Sequence, residues 1–147
     1  MKIKNIRHTG IVTDNLKASL NFYQKLLGLK IKKRILERGS TIDKVSNLKE
    51  TRVETVKLFA KKNNTLIELL YYHSHKRKNL DKKYNISRIG ISHFAITVKN
   101  IDATYKFLKK KRIKFISDPQ YSADGNVKMT FCRAPEGTLI EMVEELK

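Results

Sequence analysis

The chain has 147 residues, 40% of them hydrophobic and 31% charged, with six Gly and two Pro. That is one domain's worth of globular protein, or two half-sized modules sharing a core, and it excludes collagen-like and low-complexity classes. Lys and Arg outnumber Asp and Glu by 32 to 14, a net charge of +18 that favours acidic partners, yet only eight of those cations are Arg, so specific nucleic-acid readout is not expected.

Ile3–Val12 alternates as a half-buried strand does, and Asp14 or Asn15 can cap the helix that follows. Leu16, Leu20, Tyr23 and Leu27 recur at helical spacing until Gly28 stops them. After an irregular stretch, Lys30–Lys49, the spacing predicts strands at Val53–Ala60 and Thr65–Tyr72 around the polar turn Lys61-Lys62-Asn63-Asn64. His73–Arg88 has linker composition. Gly90–Val98 then reads as a strand, Asn100 as a cap, Ile101–Arg112 as a helix and Ile113–Tyr121 as one more strand. Val127–Arg133 and Thr138–Val143 form a hairpin around Ala134-Pro135-Glu136-Gly137.

These elements repeat. Shifted by 85 residues, Ile6-Arg7-His8-Thr9-Gly10-Ile11-Val12 falls on Ile91-Ser92-His93-Phe94-Ala95-Ile96-Thr97, and Asn15, Ala18 and Phe22 fall on Asn100, Ala103 and Phe107. Shifted by 73, Thr65-Leu66-Ile67-Glu68 falls on an identical Thr138-Leu139-Ile140-Glu141. The first copy therefore carries about a dozen extra residues within Lys30–Glu54. The expected class is α+β: two tandem βαβββ modules, residues 1–72 and 90–147, joined by a linker at 73–89 within one structural domain.

The repeat sets one His on the first strand and one Glu on the last strand of each module: His8 and Glu68, His93 and Glu141. Imidazole and carboxylate donors suit a borderline or hard divalent ion. Taken singly, each has a plainer reading as a satisfied core histidine or a solvent-facing strand carboxylate; their coincidence at repeat positions points to a metal. Retention of the four for polar pairing alone is the competing reading. Cys132 is the only cysteine, so no intrachain disulfide or cysteine cluster can form, and it reads as a small apolar residue. The N-terminal run lacks a signal peptide's apolar core and no stretch approaches a membrane span, so the expectation is a soluble, cytoplasmic protein. His73 and His75 read as linker histidines. Tyr71, Tyr72, Phe94 and Phe131 can line a pocket, although strand aromatics generally pack in cores, and the lysine runs at Lys30–Arg34, Lys76–Lys83 and Lys109–Lys114 read as solvated faces.

The run His8-Thr9-Gly10-Ile11-Val12-Thr13-Asp14-Asn15-Leu16, with Asn21-Phe22-Tyr23 and Leu26-Leu27-Gly28-Leu29, resembles the opening module of the vicinal oxygen chelate superfamily, also called the glyoxalase/bleomycin resistance/dioxygenase superfamily. Ala134-Pro135-Glu136-Gly137-Thr138-Leu139-Ile140-Glu141 is similar to its closing hairpin. The resemblance covers essentially the whole chain. It implies paired βαβββ modules forming a curved mixed sheet that cups one divalent metal ion, with Zn, Ni, Co or Mn favoured over Fe and His8, Glu68, His93 and Glu141 as ligands.

Within the superfamily, the filled His, Glu, His, Glu set is similar to bacterial glyoxalase I, in which metal-ligand glutamates also move the substrate proton. Val12 stands where that family has an arginine for the glutathione carboxylate. The chain also resembles methylmalonyl-CoA epimerases, which would make Glu50, 18 residues before Glu68, one of two bases; Glu54 is the next candidate. The expected function is a metal-dependent lyase or isomerase removing a proton beside a carbonyl, with Glu141, Glu68 and Glu50 as catalytic candidates. The expected partners are a small, anionic substrate and a second copy in a homodimer, with no nucleic acid and no membrane. A non-catalytic binding or resistance protein, or an extradiol-type dioxygenase, on the same scaffold is the alternative.

Overall fold

The structure, a computed structural model, describes residues 2–61, 65–75, 86, 87 and 89–146. The chain divides into two compact units, Met1–Asn79 and Leu80–Lys147. The first holds β1 (His8–Val12), α1 (Leu16–Leu20, continued by wider π turns over Asn21–Leu26), β2 (Lys30–Arg38), α2 (Ser40–Ser46), β3 (Arg52–Phe59) and β4 (Leu66–Tyr72). The second holds β5 (His93–Thr97), α3 (Ile101–Lys110), β6 (Gln120–Tyr121), β7 (Val127–Arg133) and β8 (Leu139–Glu145). Each unit contains one four-stranded mixed sheet, in the orders β1-β4-β3-β2 and β5-β8-β7-β6, with the first strand parallel to the last. The two βαβββ modules expected from the repeat are present.

The repeat also fixes local chemistry. Asn15 Oδ1 accepts the Ala18 N–H at 3.0 Å, and Asn100 Oδ1 accepts the Ala103 N–H at 2.8 Å. Both are side-chain caps that satisfy a donor left over in the first turn of a helix. Gly28 takes φ 75° after the π turns, the left-handed conformation that lets the chain leave the helix. The dozen extra residues of the first copy become the full length of β2 and the helix α2; the matching strand of the second copy, β6, has two residues.

Several boundaries differ from expectation. The first strand begins at His8 rather than Ile3, because its ladder to β4 ends where the Leu66 N–H donates to the Arg7 carbonyl, and Ile3 and Ile6 are 82% and 74% exposed. Ile113–Tyr121 pairs only at Gln120–Tyr121 and through one bridge between Phe115 and Cys132. Three of the four residues of the expected turn 61–64, and most of the expected linker, residues 76–85 and 88, with the Lys76–Lys83 run, lie outside the described residues. His73 continues the first sheet, its N–H donating to the Arg52 carbonyl at 2.8 Å.

In each unit strand alternation separates two faces. The face that the helix covers holds most of the core: Ile11, Val56, Leu58 and Leu69 with Phe22 and Tyr23 in the first unit, and Ile140, Met142 and Cys132 with Ile101 and Leu108 in the second, all at most 6% exposed; Val53 and Leu139 are buried on the other face. Among the described residues no helix is long and apolar enough to cross a membrane.

Candidate functional site

The opposite face carries the His and Glu of each unit. On β1, His8 and Gly10 share a face, and Gly10 lies directly across from Glu68 on β4, so His8 and Glu68 are diagonal neighbours. Gly10 leaves that diagonal open; a Cβ there would reach 3.3 Å from Leu70 Cδ1. His8 Nε2 sits 3.2 Å from Glu68 Oε2. The second unit repeats the arrangement in the same register: Ala95 lies across from Glu141, and His93 Nε2 sits 3.2 Å from Glu141 Oε2.

This spacing fits shared coordination. Two donors each about 2.1 Å from one ion stand about 3.0 Å apart at an octahedral angle and about 3.4 Å apart at a tetrahedral one. Both 3.2 Å pairs fall inside that interval. Among the described residues no third His, Cys, Asp or Glu joins either pair. His93 is held from its other ring nitrogen as well, with Nδ1 2.7 Å from Ser92 Oγ, a contact that fixes the ring orientation. Arg7 stands at the matching place in the first unit, and His8 Nδ1 is buried with no hydrogen-bond partner.

The surroundings of the two pairs differ. Across from Glu68 stands Lys57, whose Nζ is 3.2 Å from Glu68 Oε1. Across from Glu141 stands Phe131, whose ring meets the His93 ring edge-on at 5.1 Å. Sequence reasoning named Phe131 only as an aromatic that could line a pocket, and it missed Lys57. The signal for Lys57 was a cation inside the otherwise apolar alternation of Val53–Ala60. Glu68 is 8% exposed, a buried carboxylate that Lys57 helps to neutralise.

Glu50 is not brought to the first pair. It is exposed in the connection between α2 and β3 with φ 53°, held where the Glu50 and Thr51 N–H groups donate to the Asp43 carboxylate at 3.1 and 2.7 Å. Those backbone bonds hold the Asp43 carboxyl below its ordinary value. Lys57 marks the level of Glu68 on β3, and the strand runs roughly 17 Å from there before reaching Arg52, with Glu50 beyond it. Glu54 faces the helix side of the sheet, where its carboxylate binds Arg34 Nε and lies 3.3 Å from His73 Nε2. Burial raises the Glu54 pKa, but the bonds from Arg34 and His73 outweigh it and hold the group below its ordinary value.

Comparisons with known proteins agree with this fold. The family model of the Glyoxalase/Bleomycin resistance protein/Dioxygenase superfamily matches residues 5–142, and the chain belongs to that superfamily. It is 27% identical over 141 residues to YwbC, an uncharacterized protein of Bacillus subtilis strain 168, covering 96% of this chain and 98% of YwbC. Among solved structures it resembles a glyoxalase family protein from Bacillus cereus, with TM-score 0.90, 22% identity and coverage of 100% of this chain and 97% of the other. The trypanothione-dependent glyoxalase I of Leishmania major shares the fold at TM-score 0.66 and 22% identity, over 97% of this chain and 88% of that one.

Proposed function

We propose that the chain is a divalent-metal-dependent lyase or isomerase that removes a proton beside a carbonyl, with His8, Glu68, His93 and Glu141 as the metal donors. One observation carries the reading: each unit holds a His–Glu diagonal at 3.2 Å, in the same register and at repeat-equivalent positions. Polar pairing without metal would require only that each histidine find some acceptor. The metal reading adds a reason for both pairs to keep an imidazole nitrogen and a carboxylate oxygen at the separation of two donors on one ion.

When bound, a Zn, Ni, Co or Mn ion would supply positive charge beside the substrate carbonyl. The proton itself is moved by the protein. Glu141 is the better candidate base, because among the described residues no cation holds its second oxygen as Lys57 holds that of Glu68. Glu68 is the secondary candidate. The epimerase-type role for Glu50 finds no support within the first unit, where Glu50 stands apart from Glu68. Val12, on the face of His8 and 45% exposed, offers no charge for a glutathione carboxylate. With a net charge of +18, the chain is better suited to another anionic substrate, such as an acyl-CoA thioester or a phosphorylated acid. We also propose a cytoplasmic homodimer, which gel filtration with light scattering would test.

The deciding experiment is metal analysis followed by deuterium exchange into hemithioacetal, α-hydroxy ketone and acyl-CoA substrates. Stoichiometric first-row metal is expected, with exchange that Glu141→Gln abolishes. Absence of metal after reconstitution, with His8→Ala and Glu141→Ala leaving stability and exchange unchanged, would reject the proposal.

A further inference from the structure

The two units share a register but differ in how the helix is tied to its sheet. In the second unit two bridges span the groove between α3 and the strands. The Ile101 N–H donates to Glu144 on β8 at 2.8 Å, and Lys128 on β7 donates to Asp102 on α3 at 2.6 Å. The helix positions map through the 85-residue shift, so Ile101 and Asp102 correspond to Leu16 and Lys17. The strand positions map through the ladders. Lys128 pairs with Glu144 as Glu54 pairs with Tyr71, so Lys128 corresponds to Glu54 and Glu144 to Tyr71.

At these four places the first unit therefore has Leu16, Lys17, Glu54 and Tyr71, and neither bridge can form in the same way. Tyr71 has no carboxylate for the helix. The charges at the other two places are reversed, and Glu54 is engaged by Arg34 and His73 instead. Where the bridges would stand there is an open cleft of about 960 Å³, lined by these four residues together with Lys25, Arg34 and the amides of Asn21 and Gln24. That volume lies within the range of small-molecule sites.

The lining has a definite chemistry. Lys17, Lys25 and Arg34 bring three positive charges against the two carboxylates of Asp14 and Glu54, an excess of one, with Arg34 bonded to Glu54. The Arg34 bond to Glu54 engages Nε, one of five guanidinium N–H donors, and its side chain remains 53% exposed. Fixing Nε orients a guanidinium suited to a planar oxyanion. The Tyr71 ring and Leu20 add apolar lining. By strand alternation Glu54 and Tyr71 lie on the sheet face opposite Lys57 and Glu68, so the cleft is separate from the His8–Glu68 pair.

We propose that this cleft is a second binding site, for a small organic molecule carrying a carboxylate or phosphate. Arg34 and Lys17 take the oxyanion, and Tyr71 with Leu20 contacts the body of the molecule. The bridges present in the second unit are absent here because a ligand takes their place.

The test is calorimetric titration of the whole, chelator-treated chain with phenyl phosphate and benzoate as organic probes and inorganic phosphate as the bare-anion probe. Saturable binding of at least one organic probe is expected, stronger than that of inorganic phosphate. Arg34→Gln should weaken it about tenfold or more. The double change Lys17→Asp with Glu54→Lys grafts the Asp102–Lys128 bridge onto the first unit and removes the Glu54 anchor of Arg34, and it should abolish binding. His8→Ala and the surface change Lys111→Gln should leave binding unaltered. Several results would overturn the proposal: no saturable binding, equal affinity for inorganic phosphate, equal loss in Lys111→Gln, or full binding in Arg34→Gln. Should the grafted double variant fail to fold, Arg34→Gln and Lys111→Gln still decide the matter.

Discussion

Lys57 Nζ stands 3.2 Å from Glu68 Oε1, while the other oxygen of the same carboxylate faces His8 Nε2, also at 3.2 Å. The corresponding carboxylate, Glu141, has the ring of Phe131 across from it instead of a cation. The two halves of a repeated constellation are thus electrostatically unequal. Among the described residues one glutamate is held at both oxygens and the other at one, which is how two residues of the same type can be given different duties.

Removing the lysine should expose that inequality. Lys57→Met leaves Glu68 without its cation at a position only 8% exposed, so unfolding in urea is expected to show a loss on the order of 2 kcal/mol. Saturating Zn or Mn should restore more stability to the variant than to the parent, because the ion no longer competes with the ammonium for the carboxylate. Equal metal-induced shifts in both proteins would show that Lys57 does not influence the donor.

Ser92 tests the histidine of the other half. Its hydroxyl meets His93 Nδ1 at 2.7 Å, and removing such outer partners generally lowers metal affinity 10–100-fold. Ser92→Ala is therefore expected to weaken Zn or Mn binding by about tenfold or more in a competition titration with a chelating dye, with the unfolding midpoint little changed. Unaltered affinity would mean that His93 is not a ligand, or that the serine does not orient it.

Much of this was legible in the chain because it is written twice. His8 and His93, Glu68 and Glu141, and the caps Asn15 and Asn100 stand at fixed offsets, and a residue pair placed by backbone register lands in the same geometry both times. Legibility failed where the copies diverge. The transfer of a base role to Glu50 relied on an 18-residue spacing to Glu68, but that span holds β3 and its turn into β4, and the ladder brings Lys57 across from Glu68 while Glu50 stays beyond the far end of β3. Lys57 was hidden for a smaller reason: the 73-residue shift that aligns Glu68 with Glu141 sets Lys57 on Thr130, whereas the ladders set it on Phe131. The cleft beside Arg34 could not be read at all from one copy. It follows from charges reversed between positions 17 and 102 and between 54 and 128, which become comparable only once the ladder is known.

The caps offer a direct comparison between units. Asn15→Ala and Asn100→Ala each delete one side-chain acceptor from the first turn of a helix, and each is expected to lower stability by about 1 kcal/mol in chemical denaturation. Neither should alter metal affinity, since both helices cover the face away from the histidines. A change in metal binding without loss of stability would contradict that separation of faces.

Cys132 gives the pH-dependent prediction. Its side chain is fully buried on the helix-covered face of the second sheet, and burial pushes its thiol from an ordinary value of 9.0 up to about 12. A raised pKa means that the folded state favours the protonated form. The associated stability is complete below pH 9 and is lost as the pH rises toward 12, because the unfolded chain ionises while the folded chain does not. The same burial withholds the thiolate from reagents. Iodoacetamide at pH 8.5 should leave Cys132 unmodified in the native protein and label it fully in urea, as mass spectrometry would show. Native-state labelling as fast as that of the unfolded chain would place Cys132 outside the core.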